Sequence, residues 1–165
     1  MEIWDVYDEN RILTGRTMER GSEIKNGDYH IVIHVCIFNS KNEMLIQHRQ
    51  SFKEGWPNMW DLTVGGSALA GESSTEAAER EMFEEIGYKT DLSFEDLAFT
   101  LKFDCGFDDF YIIRREIDEN ELTLQFEEVQ AVKWASKEEI LEMVDKNTFI
   151  DHFDLERIFE RLISS

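Results

Sequence analysis

The pattern of apolar and polar residues divides the chain into short strands and helices. Alternation over residues 3–7 and a second run over 11–16 predict a β-hairpin, within a segment 1–28 that precedes the main domain. Residues 30–38 are rich in β-branched side chains, which predicts a central strand buried on both faces. Residues 44–49 are expected to return as its antiparallel neighbour.

The middle of the chain carries the clearest helix signals. A short strand over residues 59–64 is predicted to lead into a glycine turn at Gly65 and Gly66. Ser73 and Glu76 have the spacing of a capping box, so a helix should begin at about Ser74, with Ala78, Met82 and Ile86 on its inner face. Gly87 is placed to end it.

The remaining elements alternate between strands and helices. Strands are predicted over residues 97–103, 107–117 and 129–134. A capping box at Ser136 begins a helix over 137–146. A last amphipathic helix follows Asp151, and its apolar stripe consists of Phe153, Leu155, Ile158, Phe159 and Leu162.

These elements predict a mixed sheet with helices packed on it, an α/β (α+β mixed) fold. At 165 residues the chain is long enough to bury one proper core. A single proline and the absence of repeats or low-complexity tracts argue against linkers. We therefore expect one domain over residues 1–165, with the N-terminal β-hairpin as its extension.

The charge balance excludes two classes of partner. Seventeen basic residues against 36 acidic residues give a net charge of −19. A field of this sign repels duplex nucleic acid and anionic membranes, so neither is expected as a partner. Small phosphorylated substrates stay compatible with it, provided that a metal ion and a few basic groups reverse the sign locally.

The termini and cysteines suggest a compartment. The N-terminus has no basic and apolar segments of the kind that direct secretion. The longest apolar run of the chain, residues 31–38, is too short to span a bilayer. Cys36 and Cys105 have no metal-binding spacing, and two unpaired thiols are the expected state. Together these features predict a cytoplasmic protein.

Three glutamates on the first predicted helix carry the strongest chemical signal. Glu81, Glu84 and Glu85 stand at i, i+3 and i+4, so their carboxylates leave from one face. Like charges at this spacing repel each other unless a cation lies among them, and hard divalent cations prefer oxygen ligands. In an acidic protein the alternative is a solvated helix face. The cluster alone does not separate the two.

The spacing around the cluster resembles the Nudix box, the signature of the Nudix hydrolases. That motif has the form Gly-x5-Glu-x7-Arg-Glu-U-x-Glu-Glu-x-Gly-U, in which U is aliphatic. The matching residues here are Gly66, Glu72, Arg80, Glu81, Met82, Glu84, Glu85 and Gly87, and only the last position departs, with Tyr88 in place of an aliphatic residue. Because that position is a packing site, the departure leaves the chemistry intact.

The resemblance implies an α/β/α sandwich and hydrolysis of a nucleoside diphosphate linked to another group. It implies that Mg²⁺, with Mn²⁺ as the alternative, is held by Glu81, Glu84, Glu85 and the carbonyl of Gly65. Such an ion would neutralise phosphate charge and help to generate hydroxide. The general base would be Glu81 or an acidic residue outside the box. Arg80 would support the site through an ion pair with Glu72.

Glu128 is the candidate for that additional acidic residue. It lies just before the predicted strand at 129–134, a region from which some Nudix enzymes recruit a loop glutamate. The alternative is that Glu127 and Glu128 form a solvated pair, as charge runs in acidic chains often do.

A second resemblance covers more of the chain. Tyr29-His30, followed by Arg49-x3-Lys53-x2-Trp56-Pro57-x2-Trp60, is similar to the branch that contains isopentenyl diphosphate isomerase. In that branch the residues matching Arg49 and Lys53 contact a diphosphate, and cations suit this task. The alternative is that Arg49 ends a strand in solvent and Lys53 caps a loop.

The isomerase reaction itself is disfavoured. It needs a cysteine and a histidine at positions that read Gly65 and Ser67 here. His30 matches a metal-site histidine of that enzyme, but without its partners we expect a core or hydrogen-bonded histidine. A non-catalytic nucleotide-binding module is a third hypothesis, although degenerate boxes usually mark such modules.

The substrate and the oligomeric state stay open. The box predicts a small diphosphate substrate without naming it. The N-terminal hairpin could pack on its own domain or on a second subunit, so a monomer and a homodimer are both compatible with the sequence.

Overall fold

The computed structural model describes residues 1–152 and 154–164. The strands are β1 (Ile3–Tyr7), β2 (Leu13–Glu19), β3 (His30–Phe38), β4 (Met44–Arg49), β5 (Trp60–Asp61), β6 (Val64–Ser67), β7 (Leu97–Phe103), β8 (Gly106–Arg114) and β9 (Val129–Ala135). The helices are α1 (Ser74–Ile86), α2 (Lys137–Asp145) and α3 (Leu155–Ser164), with short 3-10 helices at Phe94–Asp96 and Glu119–Glu121.

The main sheet is mixed, as predicted. Its strands follow the order β5-β4-β3-β8-β7, with β6 paired to β3 and β9 paired to β4. Strand β3 runs parallel to β8 along its whole length, whereas the other pairs in this sheet are antiparallel. Strands β1 and β2 form a separate antiparallel hairpin.

The period-2 alternation of β3 divides the interior between two layers of helix. One face of the sheet packs against α1 in a core that includes Ile33, Val35, Ile37, Ala77, Ala78, Met82 and Ile86. The other face packs against α2 and α3 in a core that includes Cys36, Phe38, Ile46, Ile140, Leu155, Ile158, Phe159 and Leu162. The fold is therefore an α/β/α sandwich, and the prediction that β3 is buried on both faces is confirmed. Phe153, the first residue of the predicted α3 stripe, lies outside the described residues.

The predicted strand at 59–64 is wrong, because the chain there forms two strands. Strand β5 pairs with β4, and β6 pairs with β3. Strands β3 and β4 pair only at Phe38 and Met44, so they diverge. Thr63 lies in the gap, where its hydroxyl accepts a hydrogen bond from the amide of Ile37 and donates one to the carbonyl of Leu45.

The predicted glycine turn is also wrong. Gly65 and Gly66 are extended residues of β6, opposite His34 and Ile33 of β3. The left-handed backbone conformation that favours glycine occurs later, at Gly71, where φ is 85°. Smaller differences concern strand ends: β2 begins at Leu13 rather than at residue 11, and β8 ends at Arg114 rather than at 117.

The N-terminal hairpin packs on its own domain. The ring of Trp4 stacks on His30 at 4.4 Å between centroids, and Tyr7 pairs with Tyr29. The carbonyl of Ile3 accepts a hydrogen bond from the amide of Ala70 at 2.8 Å. His30 is a buried core histidine, and burial lowers its pKa.

Helix α1 is capped as its sequence predicts. The Ser73 hydroxyl accepts from the amide of Glu76, and the Glu76 carboxylate accepts from the amide of Ser73. Gly87 ends the helix in the left-handed conformation, with φ of 70°. Both ends of the helix that carries the glutamates are therefore fixed by local interactions. Among the helices of residues 1–152 and 154–164, none is long and apolar enough to cross a membrane.

Candidate active site

A polar cleft of about 280 Å³ lies where α1 faces the diverging strands. Its lining brings together Glu81, Glu84 and Glu85 of α1, Gly65, Gly66 and Ser67 of β6, Val32 and His34 of β3, Gln47 and Arg49 of β4, Asp61 of β5, and Glu2, Arg20, Lys53, Gln125 and Glu128 from other segments. Every residue predicted from the sequence as a metal ligand or substrate contact lies in this lining. Arg80 supports it from behind.

The three glutamates differ in exposure. Glu85 is buried, and its Oε2 accepts a hydrogen bond of 2.7 Å from Nε2 of Gln47. The side chain of Glu81 is 12% exposed and that of Glu84 is 48% exposed. The row therefore runs from the interior to the solvent along one helix face.

Burial changes the protonation of the two inner carboxylates. Burial raises the pKa of Glu81 to about 7, against the opposing effect of Arg80, and the charges of Glu84 and Glu2 add to the increase. The pKa of Glu85 is raised well above its usual range, first by burial and then by the charge of Glu81. Burial and mutual repulsion disfavour the ionised forms of these two carboxylates. A cation bound between them would stabilise those ionised forms.

Arg80 clamps the helix to the loop before it. Its guanidinium donates to both carboxylate oxygens of Glu72, at 2.7 and 3.1 Å, and to the carbonyl of Ser67 at 3.1 Å. The same group reaches Glu81 at 2.8 Å and Glu84 at 3.2 Å. The expected ion pair with Glu72 is present, and Arg80 orients the glutamate row.

Gly66 leaves room for a carboxylate. A Cβ atom added at Gly66 would overlap the carboxylate of Glu81. The backbone of β6 and the Glu81 side chain therefore approach each other more closely than a residue with a Cβ at position 66 would allow while Glu81 keeps this conformation. Gly65 lies beside the ring of His34, where an added Cβ would be 3.1 Å from Nδ1.

Replacing Gly66 with alanine is expected to lower kcat at least about tenfold, because the methyl group displaces the Glu81 carboxylate from the row. The matched control is Gly55→Ala, since an added Cβ at Gly55 meets no atom within 4 Å. Steady-state kinetics of both variants test this expectation. Equal kcat values for Gly66→Ala and wild type would contradict it.

Arg49 and Lys53 line the cleft, but both have protein partners. The Arg49 guanidinium donates to the carbonyls of Trp56 and Gly55, at 3.2 and 2.8 Å. The Lys53 ammonium forms an ion pair with Glu128. The side chains of Arg49 and Glu128 are therefore held by contacts within the protein and are not surrounded by solvent alone.

Sequence reasoning missed several lining residues. Gln47, His34 and Asp61 line the cleft from predicted strands, but none of the three was assigned a function from the sequence. Asp61 is held by an interaction of 2.6 Å with Nε2 of His152, and His34 lies 3.4 Å from Asp108. A polar residue within a buried strand, such as Gln47 in β4, is the signal that could have marked this set.

The donor set suits a hard divalent cation. Within the described ranges, no three His, Cys, Asp or Glu side chains already stand in a ligand geometry, because Glu81 and Glu84 face Arg80 while Glu85 faces Gln47. However, carboxylate and carbonyl oxygens are the ligands that such ions prefer, and the group that donates to the buried Glu85 carboxylate is the neutral amide of Gln47. The residues that line the cleft therefore fit a hard divalent cation.

The fold and the cleft define an α/β/α sandwich with a polar, glutamate-lined site, and comparisons with known proteins identify its family. The NUDIX domain family matches residues 28–154. An uncharacterized Nudix hydrolase of Listeria innocua is 48% identical over 160 residues, covering 97% of this chain and 95% of the relative. The chain belongs to the Nudix hydrolase family, whose members hydrolyse diphosphate bonds, act generally on nucleoside diphosphate derivatives and generally require divalent metal ions.

Two further similarities concern the fold and the isomerase branch. The structure of DR0079 from Deinococcus radiodurans has a TM-score of 0.75, covers 97% of this chain and 98% of its own, and at 20% identity shows the shared fold. An isopentenyl-diphosphate Delta-isomerase of Pectobacterium atrosepticum is 33% identical over 102 residues, 61% of this chain and 56% of its own. The predicted similarity to that branch is thus confirmed. Neither Cys36 nor Cys105 lines the cleft.

Proposed function

We propose that this protein is a divalent-metal-dependent hydrolase that cleaves the diphosphate bond of a nucleoside diphosphate derivative or a related small metabolite. The observation that carries the proposal is the glutamate row of α1, in which Glu85 is buried and Glu81 largely so, beside a cleft that basic side chains also line. Residues 1–165 act as one unit in this proposal, because the hairpin contributes to the cleft wall.

Each candidate residue has a physical task. Glu81, Glu84, Glu85 and the carbonyl of Gly65 would hold the metal, with Mg²⁺ as the expected ion and Mn²⁺ as a substitute. The bound metal would supply charge neutralisation at the phosphates and a more acidic water. Arg49 and Lys53 would bind phosphate oxygens, and Arg80 would keep the carboxylates in position.

The general base is assigned to Glu128 or Glu81. Glu128 lies in a loop at the cleft and is paired with Lys53, so a phosphate that engages Lys53 would release this carboxylate toward a water molecule. Burial raises the pKa of Glu81 to about 7, which suits proton transfer near neutral pH. If Glu81 binds the metal, however, its carboxylate is no longer free to accept a proton. Glu128→Gln compared with Glu127→Gln separates the two assignments.

Removal of divalent metal is expected to abolish turnover, because no ion would then neutralise the charge of the substrate's phosphates or supply a more acidic water. The experiment measures phosphate and monophosphate release from a panel of nucleoside diphosphate derivatives, with and without a chelator. Addition of Mg²⁺ should restore the rate, and Mn²⁺ should support it as well. Metal-independent turnover, or no turnover on a broad panel, would overturn the proposal.

A further inference from the structure

The N-terminal hairpin is fixed to the loop of the Nudix box, although it lies outside the residues that match the NUDIX family. The amide of Gly71 donates a hydrogen bond to Oδ2 of Asp5 at 2.8 Å. Beside it, the amide of Ala70 donates to the carbonyl of Ile3. At the opposite end, Arg11 forms a bidentate pair with the buried Asp109. Anchors at both ends hold the hairpin in one position against the cleft.

The open end of this hairpin contributes a cation to the cleft. Arg20 follows β2, and its amide donates to the carbonyl of Glu2 at 3.0 Å. Its guanidinium contacts both carboxylate oxygens of Glu2 at 3.1 Å. Both side chains line the cleft together with Glu81 and Glu84.

Strand pairing places the two cations on different sides of the cleft. Arg20 follows the hairpin, which is hydrogen-bonded through the carbonyl of Ile3 to the amide of Ala70 just after β6, and β6 pairs with β3. Lys53 follows β4 and forms an ion pair with Glu128 just before β9, the strand that pairs with β4. Arg20 therefore lies on the β6 side of the cleft and Lys53 on the β4 side.

Arg20 can change partners at little cost. The side chains of Arg20 and Glu2 are 62% and 41% exposed, and exposed ion pairs contribute little to stability. A phosphate offers the guanidinium shorter, charge-assisted hydrogen bonds in a bidentate geometry. An anionic ligand group that arrives at this side of the cleft would therefore displace Glu2.

The geometry points to Arg20 as a substrate-binding residue that recognises an anionic group beyond the scissile diphosphate. Lys53 and Arg49 bind one side of the diphosphate, and Arg20 binds a further phosphate on the other side. The inference rests on the proposed function and specifies its substrate class. Substrates with a third phosphate are preferred over those whose distal group is neutral.

Arg20→Gln tests this inference with two probes, ATP, which has a phosphate beyond the α,β bond, and ADP-ribose, whose distal group is a neutral sugar. We expect the variant to raise KM for ATP about tenfold, with kcat within about twofold of wild type, and to leave ADP-ribose unaffected. Calorimetric binding of α,β-methylene-ATP in the presence of Mg²⁺ should weaken by the same factor. The matched control is Arg16→Gln, which breaks the exposed hairpin pair with Asp28 away from the cleft.

Glu2→Gln separates recognition from a structural role. If Arg20 only clips the hairpin, Glu2→Gln and Arg20→Gln should have the same effect. If Arg20 binds substrate, Glu2→Gln removes its competitor and should lower KM for ATP. Equal KM values for Arg20→Gln and wild type, or a wild type that binds no α,β-methylene-ATP, would overturn the inference. The metal dependence measured on the broad panel is a separate readout, so the proposed function can survive this failure.

Discussion

Replacing Glu85 with glutamine is expected to lower kcat by about three orders of magnitude, while the fold is retained. Glutamine keeps the shape of the side chain but removes the charge that would hold the metal. Glu85 is the most buried member of the row, so solvent compensates poorly for the loss of its charge. Its contact with Gln47 can persist, because the amide oxygen of the new side chain still accepts a hydrogen bond.

Two measurements separate loss of a ligand from loss of structure. Glu79→Gln is the matched control on the same helix, because its oxygen accepts from the amide of Leu92 and does not line the cleft. It should retain the wild-type rate. Without divalent metal, the Tm of Glu85→Gln should equal or exceed that of wild type, since a buried carboxylate has been neutralised. Turnover by Glu85→Gln at the wild-type rate would be incompatible with the proposed site.

The sequence predicts the parts of this site that depend on local spacing. The capping box at Ser73 and the stop at Gly87 fix the ends of α1, so the positions of Glu81, Glu84 and Glu85 on one face follow from helical periodicity. The same local reasoning failed at Gly65 and Gly66. Two adjacent glycines usually indicate a turn, but here both lie in a strand, where Gly66 leaves room for the Glu81 carboxylate and Gly65 lies beside the ring of His34.

The residues that were missed depend on contacts between distant parts of the chain. Gln47 reaches Glu85 because β4 diverges from β3 and opens the interior toward α1. Arg20 reaches the cleft because the hairpin packs on the loop before α1. Hydrophobic periodicity contains no information about either contact, since each is set by how separate elements pack.

The hairpin's attachment also explains how a segment outside the family match becomes part of the site. Asp109 of β8 is fully buried, and it accepts hydrogen bonds from Arg11 of the hairpin, Thr100 of β7 and Ser74 at the start of α1. The hydroxyl of Ser74 also contacts that of Tyr111 at 2.8 Å. One carboxylate thus joins the hairpin, the sheet and the first turn of the helix that carries the glutamates.

Asp109→Asn is therefore expected to lower the free energy of unfolding by about 3 kcal/mol at neutral pH. Both carboxylate oxygens of Asp109 accept from donors, so the amide nitrogen of asparagine would face donors and leave at least one of them unpaired. Denaturant unfolding measures this difference. The matched control is Asp28→Asn, which alters a bidentate pair of the same chemistry with Arg16 that lies at the surface. The control should cost much less than Asp109→Asn, because exposed ion pairs contribute little to stability.

The pH dependence of this difference identifies the charge as its cause. Burial opposes ionisation of Asp109, but hydrogen bonds from Arg11, Ser74 and Thr100 outweigh it and lower the pKa of the folded state. Because the pKa is lower in the folded state, the carboxylate stabilises the fold at pH values above its pKa in the unfolded state. This contribution is lost as the pH falls through its pKa in the folded state. The gap between wild type and Asp109→Asn should therefore be largest at neutral pH and shrink below about pH 4. A gap that stays constant down to pH 2 would mean that packing, rather than the charge on Asp109, joins the hairpin to α1.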